Sequence, residues 1–386
     1  MDRRTDTRAA LAAFAVMGTF WGAFAALVPD LKAAAGASDR AFGWAMLIAA
    51  VGAVLAMWLA PLAERAAGRG AMALAAAATA AGFLLPGLAG SVLTLGLALA
   101  LASAASGVLD VVMNARVSQL EADRGRPLMS LAHALFSYGY AAAAFVTGLV
   151  RGGGGGAMTV YGGLALVTLV LLPMLVAAPA PRIADASVAP PPRWSAATRR
   201  VILLCGMVVL FGFMAEQAAD NWAALHLERT LGAAAVLGSF GPAMLGVTMG
   251  TGRLAGQALA LRFGERATLT AGAIAGACGA TLAAAAPSLP LAYAGFAALG
   301  LGVSVLAPVA FAVAGQSVTD AIRSTAIARV AVIGYGGFFV GPPLMGFLSE
   351  GFGLRAAFVA LAGMLLVVAV VVVPLLFRRA TSRDGA

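Results

Sequence analysis

The chain has 386 residues, 62% of them hydrophobic and 11% charged, with a formal net charge of +9. Soluble domains carry roughly 25% charged residues, and a water-soluble protein of this make-up would expose very large apolar patches, so a bilayer is the expected solvent. The basic residues sit singly or in pairs at the ends of apolar runs, which argues against nucleic-acid binding, and the single lysine, Lys32, has no G-x-x-x-x-G-K-[ST] context, which excludes a P-loop ATPase.

A helix needs about 20 mostly apolar residues to cross the hydrocarbon core. In chain order, such segments are expected near 9–29, 41–61, 71–90, 91–117, 128–150, 158–178, 200–224, 235–258, 267–286, 289–315, 326–349 and 355–377, which makes twelve. The first follows MDRRTDTRAA and resembles a signal peptide, but with so many spans behind it we read it as an uncleaved span. Short connections are marked by Ala89-Gly90-Ser91 and by Pro287-Ser288-Leu289-Pro290, and the run Gly152 to Gly156 reads as a flexible external loop. Residues 179–199 hold Pro179, Pro181, Pro190, Pro191 and Pro192 and read as a linker. The expected fold is therefore all-α: a six-helix bundle over 1–178, a cytoplasmic Pro-rich linker over 179–199, and a second six-helix bundle over 200–386.

Cys205, Cys278, His133 and His226 are widely separated and form no metal-ligand pattern, and no Gly-x-Ser-x-Gly or His-Glu-x-x-His motif is present. No metal, cofactor or enzymatic activity is expected. Orientation follows from Lys and Arg in the connections. With both termini cytoplasmic, 19 basic residues fall on the cytoplasmic side and 5 on the other, namely Lys32, Arg40, Arg151, Arg229 and Arg355, with Arg253 left inside a span. A multi-pass protein of a bacterial-type inner membrane, acting as a monomer, is expected.

The two halves repeat at a spacing of 197 residues. Arg65 and Arg69 fall on Arg262 and Arg266, Asp123 and Arg126 on Asp320 and Arg323, and Tyr138-Gly139 on Tyr335-Gly336. Charged residues are scarce enough for these coincidences to be informative, and they fall in equivalent connections. Two six-span halves in parallel repeat resemble the major facilitator superfamily. The resemblance covers nearly the whole chain, and its motif is the family's second connection, roughly G-x-x-x-D-R-x-G-R. Here the second copy reads Gly256-Gln-Ala-Leu-Ala-Leu-Arg262-Phe-Gly264-Glu-Arg266 and the first Pro61-Leu-Ala-Glu64-Arg65-Ala-Ala-Gly68-Arg69, both degraded. The resemblance implies alternating access, with a charge latch closing one face formed by Glu64, Arg65, Arg69, Asp123, Arg126, Arg262, Arg266, Asp320 and Arg323; simple positive-inside anchoring is the competing reading. Gly107-Val-Leu-Asp110-Val-Val-Met-Asn114, Gly252-Arg253-Leu254 and the run from Tyr335 to Gly346 are similar to the fucose-permease-like and YbjJ-type branch.

Ionisable residues inside a membrane are functional candidates, because a charge at that depth costs several kcal/mol. Asp110 lies about 10 Å to the cytoplasmic side of its span's middle, and Asn114 shares its face one turn on. His133 lies at similar depth on the next span, about 8 Å from the middle. Low dielectric favours the neutral carboxyl, so Asp110 is expected to carry the coupling proton, with His133 and Asn114 as partners or as structural contacts. Glu216 and Asp220 share one helix face. Glu216 and Gln217 are expected to be proton or substrate ligands, since the resemblance places span seven on the cavity, whereas Asp220 and Asn221 are expected to be solvated at the helix mouth. Arg253 is expected to snorkel or to pair structurally. Trp21, Tyr138 and Tyr335 either face the solute or pack.

The expected function is a secondary transporter of a small solute, with proton-coupled symport of a small polar solute such as a sugar first. The alternatives are proton-driven efflux of a small organic compound, which the lack of a proline between Ser137 and Gly148 disfavours, and a transporter-shaped sensor. The expected partners are the solute, protons and lipid.

Overall fold

The computed structural model describes residues 3–125, 127–177 and 194–378, and throughout these the fold is all-helical. A backbone in lipid must satisfy its own N–H and C=O groups, and helices do so within each segment. The spans are α1 (Arg3–Ala34), α2 (Asp39–Ala67), α3 (Ala71–Leu84), α4 (Val92–Arg124), α5 (Met129–Gly152), α6 (Ala157–Leu171), α7 (Ala196–Leu231), α8 (Ala235–Phe263), α9 (Glu265–Ala285) and α10 (Leu289–Val303, resuming as Leu306–Gln316). One long helical element, Asp320–Val367, bends at Gly353 and so supplies both α11 (320–352) and α12 (354–367), the latter prolonged through Val368–Val372 to Leu376. Gly353 takes φ 84°, which only glycine adopts without strain, and this lets two spans reverse direction with almost no loop. Each of the twelve expected segments is thus helical. Pro86 and Pro173 lack a donor, and at each the α-helix tightens into a 3-10 turn.

Most of the expected linker, 178–193, lies outside the described residues. The expectation that the linker runs to residue 199 is corrected: Ser195 caps α7 by accepting from the Thr198 N–H, so the helix begins at Ala196.

The termini of α1 and α7 mark one end of the molecule, the terminal face; the other end is the far face. Within each half, helices approach through small residues, as between α2 and α4, where a methyl group on Gly52 would overlap the Ala100 carbonyl. Between the halves, α5 lies along α8 and α2 meets α11. Gly43 and Gly346 bring α2 and α11 together at the far face, against Pro342 and the Asp39 carbonyl respectively. Toward the terminal face, Trp58, Leu59 and Leu62 of α2 and Val332 of α11 are exposed.

Candidate functional site

A polar cluster joins the halves near mid-depth. Gly246 and Gly250 of α8 set its spacing: a Cβ on either would lie 2.8 Å from the ring of Tyr140 or Tyr138 on α5. The Tyr138 hydroxyl is 3.3 Å from Thr251 Oγ1. One turn away, Arg253 extends from α8 and bridges three helices. Its Nη1 donates to Ser137 Oγ at 2.6 Å and to the His133 carbonyl at 3.5 Å, and its Nη2 donates to Glu216 Oε1 at 3.0 Å. One turn further along α7, Asp220 Oδ1 accepts from the Tyr140 hydroxyl at 2.8 Å. Glu216 is thus paired with a guanidinium, and Asp220, on the same helix face, with a phenol. The Arg253–Ser137 and Asp220–Tyr140 bonds both cross between the halves.

This changes the expectation for Asp220 and Asn221 and decides between the two for Arg253. Asp220 is not solvated at a helix mouth: it is partly buried and held by Tyr140, while Asn221 is buried and donates to Gln217. Arg253 does not snorkel; it pairs with Glu216. Ser137, Tyr140 and Thr251 were not anticipated at all. Ser and Thr are frequent in helices, and only the cross-half geometry picks these out.

Asp110 sits apart. Asn114 Nδ2 donates to its Oδ1 and to its carbonyl, both at 2.9 Å, as their four-residue spacing predicts. His133 is not its partner. Its ring packs edge-on to Phe14, with centroids 5.1 Å apart, and its carbonyl accepts from Arg253. Asp110, Asn114, Glu216, Gln217 and Tyr335 all retain some exposure. A carboxylate turned to lipid would cost several kcal/mol, which argues that this surface is turned away from the hydrocarbon. Trp21 is packed instead, edge-on to Phe24 and Phe83 in the first half.

The charged contacts that fasten the halves lie at the far face. Ser38 caps α2 by accepting from the Ala41 N–H and places Asp39 in the first turn, where the helix dipole favours an anion. Asp39 is 4% exposed; its Oδ1 meets Lys32 Nζ at 2.7 Å and Arg229 Nη1 at 2.6 Å, and its Oδ2 accepts from Ser349 Oγ at 2.6 Å. Lys32 and Arg229 stand at the 197-residue repeat spacing, so equivalent positions of the two halves grip one carboxylate. Beside them Arg151, its side chain 3% exposed, binds Asp30 through Nε and Nη2 at 2.8 and 2.6 Å and Glu228 through Nη1 at 2.7 Å. Arg40 bonds Glu350 through its backbone N–H at 2.8 Å.

The expected latch lay at the other face, and there the visible contacts stay within a half. Asp123 accepts from Gln119, Arg262 lies over the Phe263 ring, and Arg323 donates to the Gly315 carbonyl. Arg65, Arg69 and Arg266 are exposed and Glu64 half-buried. Arg126 and the Asp320 side chain lie outside the described residues.

A family model of the Major Facilitator Superfamily matches residues 246–386. An uncharacterized MFS-type transporter of Yersinia pestis is 31% identical over 371 residues, covering 92% of each chain. Membrane protein MosC of Rhizobium meliloti is 29% identical over 350 residues, covering 89% of this chain and 84% of that protein. Among solved structures, the nucleoside transporter NupG superposes with a TM-score of 0.71 at 14% identity, covering 98% of this chain and 100% of that one. The D-xylose-proton symporter superposes with a TM-score of 0.72 at 16% identity, covering 95% and 96%.

Proposed function

The chain belongs to the major facilitator superfamily of membrane transporters, and from that premise we propose that it couples the passage of a small polar solute, such as a sugar, to movement of a proton. The observation that carries this reading is the placement of two carboxylates one turn apart on α7, Glu216 paired with Arg253 and Asp220 bonded to the Tyr140 hydroxyl. Two carboxylates on one helix face repel, and with one guanidinium, paired to Glu216, a single proton relieves the excess charge. Asp220 and the Arg253 paired with Glu216 both bond to α5 across the halves, so a proton taken up there also changes what holds the halves together. Asp110 is the second candidate carrier. Placing the chain in the fucose-permease-like and YbjJ-type branch belongs to the same proposal.

We further propose that the terminal face is cytoplasmic, on the 19 to 5 distribution of basic residues. The Asp39 and Arg151 networks then close the outer face. Solute and proton meet in the space lined by Asp110, Asn114, Gln217 and Tyr335, and the halves rock about it.

Purified protein in proteoliposomes tests this, with radiolabelled D-xylose and uridine as first probes and a pH gradient imposed in either direction. Gradient-driven uptake is expected, with Glu216→Gln retaining exchange of solute down its own gradient and losing acceleration by the proton gradient. Undiminished proton-driven transport in both Glu216→Gln and Asp110→Asn would refute the assignment of the carriers.

A further inference from the structure

The two acids of the central cluster are held by different halves. Glu216 pairs with Arg253, and since α7 and α8 both belong to the second half, this counter-charge travels with the acid. Asp220 has no such companion. Its Oδ1 accepts from the Tyr140 hydroxyl at 2.8 Å, and its Oδ2 has no hydrogen-bond partner among the described residues. Tyr140 belongs to the first half. A methyl group on Gly22 of α1 would overlap its carbonyl, so its backbone is fixed against its own half, while its ring lies on Gly246 of α8. Tyr140 is 4% exposed, and Asp220 is the partner of its hydroxyl. Asp220 is partly exposed, so a proton can reach it.

The other neighbours of α7 add no charge at this depth. α1 has no Asp, Glu, Lys, Arg or His between residues 9 and 29, α10 has none between 289 and 316, and α11 has none between 330 and 349. Tyr335 of α11 stacks on Phe213, two turns along α7 from Asp220. On α5, the His133 ring packs on Phe14 and Arg151 lies at the far face. The groups around Asp220 are therefore Glu216, the Arg253 that Glu216 neutralises, and the Tyr140 hydroxyl. Of these, only Tyr140 belongs to the other half. A hydroxyl that donates to a carboxylate favours its ionised form. Opening the far face carries α5 away from α7, and the donor leaves with it.

We infer that Asp220 is the acid whose protonation follows the conformation, and that Tyr140 is the positioning residue that sets the sense of the coupling: it holds Asp220 ionised while the far face is closed and, in leaving, lets the acid take a proton from the far side. The inference rests on the proton-coupled reading above and deepens it by assigning the proton to one acid. Linkage is reciprocal, so a proton on Asp220 favours the far-open arrangement. Closing brings the hydroxyl back and releases the proton toward the terminal face. With that face cytoplasmic, protons flow inward, the sense that symport needs. Glu216 keeps Arg253 neutralised throughout; without it, the guanidinium charge would act on Asp220 alone.

Two measurements on the full chain in phosphatidylcholine nanodiscs test this, and neither needs a solute. Infrared difference spectra over a pH titration report protonated carboxyls. Spin labels at Ala33→Cys and Ala234→Cys, exposed positions of opposite halves at the far face, report its opening once Cys205 and Cys278 are replaced. The expected result is a protonated-carboxyl band that Asp220→Asn abolishes and Asp220→Glu keeps. In Tyr140→Phe the band should persist to a pH about one to two units higher, as for loss of one hydrogen bond to a charged group. Acidification from neutral pH should add a longer distance between the labels in the parent, but not in Asp220→Asn or Tyr140→Phe. A bond that only braced the halves would, once lost, alter the distances equally at every pH and leave the titration of the band where it was. No band lost in Asp220→Asn, an unmoved titration in Tyr140→Phe, no acid-induced opening in the parent, or acid-induced opening that persists in Asp220→Asn would overturn the proposal. Gradient-driven transport by the parent and by Glu216→Gln tests the transporter reading itself, so either can fail alone.

Discussion

Replacing Arg151 by alanine tests whether the far-face ion pairs set the balance between the two ends of the molecule. Arg151 is nearly inaccessible and holds Asp30 of the first half against Glu228 of the second. Its removal deletes three hydrogen bonds of 2.6–2.8 Å and leaves two carboxylates facing each other. Removing one partner of a buried pair costs about 3–5 kcal/mol. Asp30 is 42% exposed, and water screens its share, which brings the figure to about 2 kcal/mol. The far-closed arrangement loses that stabilisation and a far-open one, already without the contact, does not, so the ratio of the two shifts by about thirtyfold. Spin labels at Ala33→Cys and Ala234→Cys, both exposed and in opposite halves at the far face, report this by electron–electron distance measurement once Cys205 and Cys278 are replaced. The parent should give one short distance. Arg151→Ala should add a longer population, and Arg151→Lys a smaller one. An unchanged distance distribution in Arg151→Ala would show that helix packing, not charge, closes this face.

The remaining predictions concern orientation and packing. A reporter active only outside the cytoplasm, fused after Gly153, should be active; a cytoplasmic signal there would invert the proposed orientation. Gly250→Leu would drive a side chain into the Tyr138 ring, and overpacking of this kind costs about 1–3 kcal/mol. It should separate α5 from α8 and slow transport while leaving the protein folded, with transport rate and the same spin-label pair as readouts. A rate equal to the parent's would show that α5 and α8 need not approach so closely during the cycle.

The spans were legible in the sequence because the bilayer leaves a backbone few options: an apolar run of the right length must be a helix. The charges between the halves were less legible, because a contact between residues 121 positions apart, such as Arg151 with Asp30, leaves no local pattern. A signal was nonetheless present. Lys32, Arg40, Arg151 and Arg229 are exceptions to the positive-inside trend, and Asp30, Asp39, Glu228 and Glu350 lie at the same face. Basic residues that topology does not call for need another reason, and acids at the same depth supply one. The degraded second-connection motif instead drew attention to the terminal face. Asp110 and Asn114 were readable from their four-residue spacing, which survives any tertiary arrangement. The pairing of Asp110 with His133 was not, since equal depth on consecutive helices says nothing about which way each side chain turns. His133 turned toward Phe14, and the Arg253 beside it came from the other half.

The central cluster and the far-face network lie on the same helices. Arg151, Ser137 and Tyr140 all belong to α5; their partners Glu228, Arg253 and Asp220 belong to α7 and α8. Opening the far face requires α5 to leave α7 and α8, so it breaks the central contacts as well as the outer ones. A proton on Glu216 or Asp220 alters the energy of the central contacts, and therefore the ease with which the outer ones part. The coupling needs no pathway beyond this shared interface, since both sites bias one two-state element. The magnitudes also constrain it. Moving such an equilibrium from 1:99 to 99:1 takes about 5.5 kcal/mol, more than the roughly 2 kcal/mol assigned to Arg151. The Asp39 network and the central contacts must supply the rest. Under the proposed proton coupling, a single far-face substitution therefore biases the transporter without locking it, and the full excursion draws on a change of state of the central acids as well.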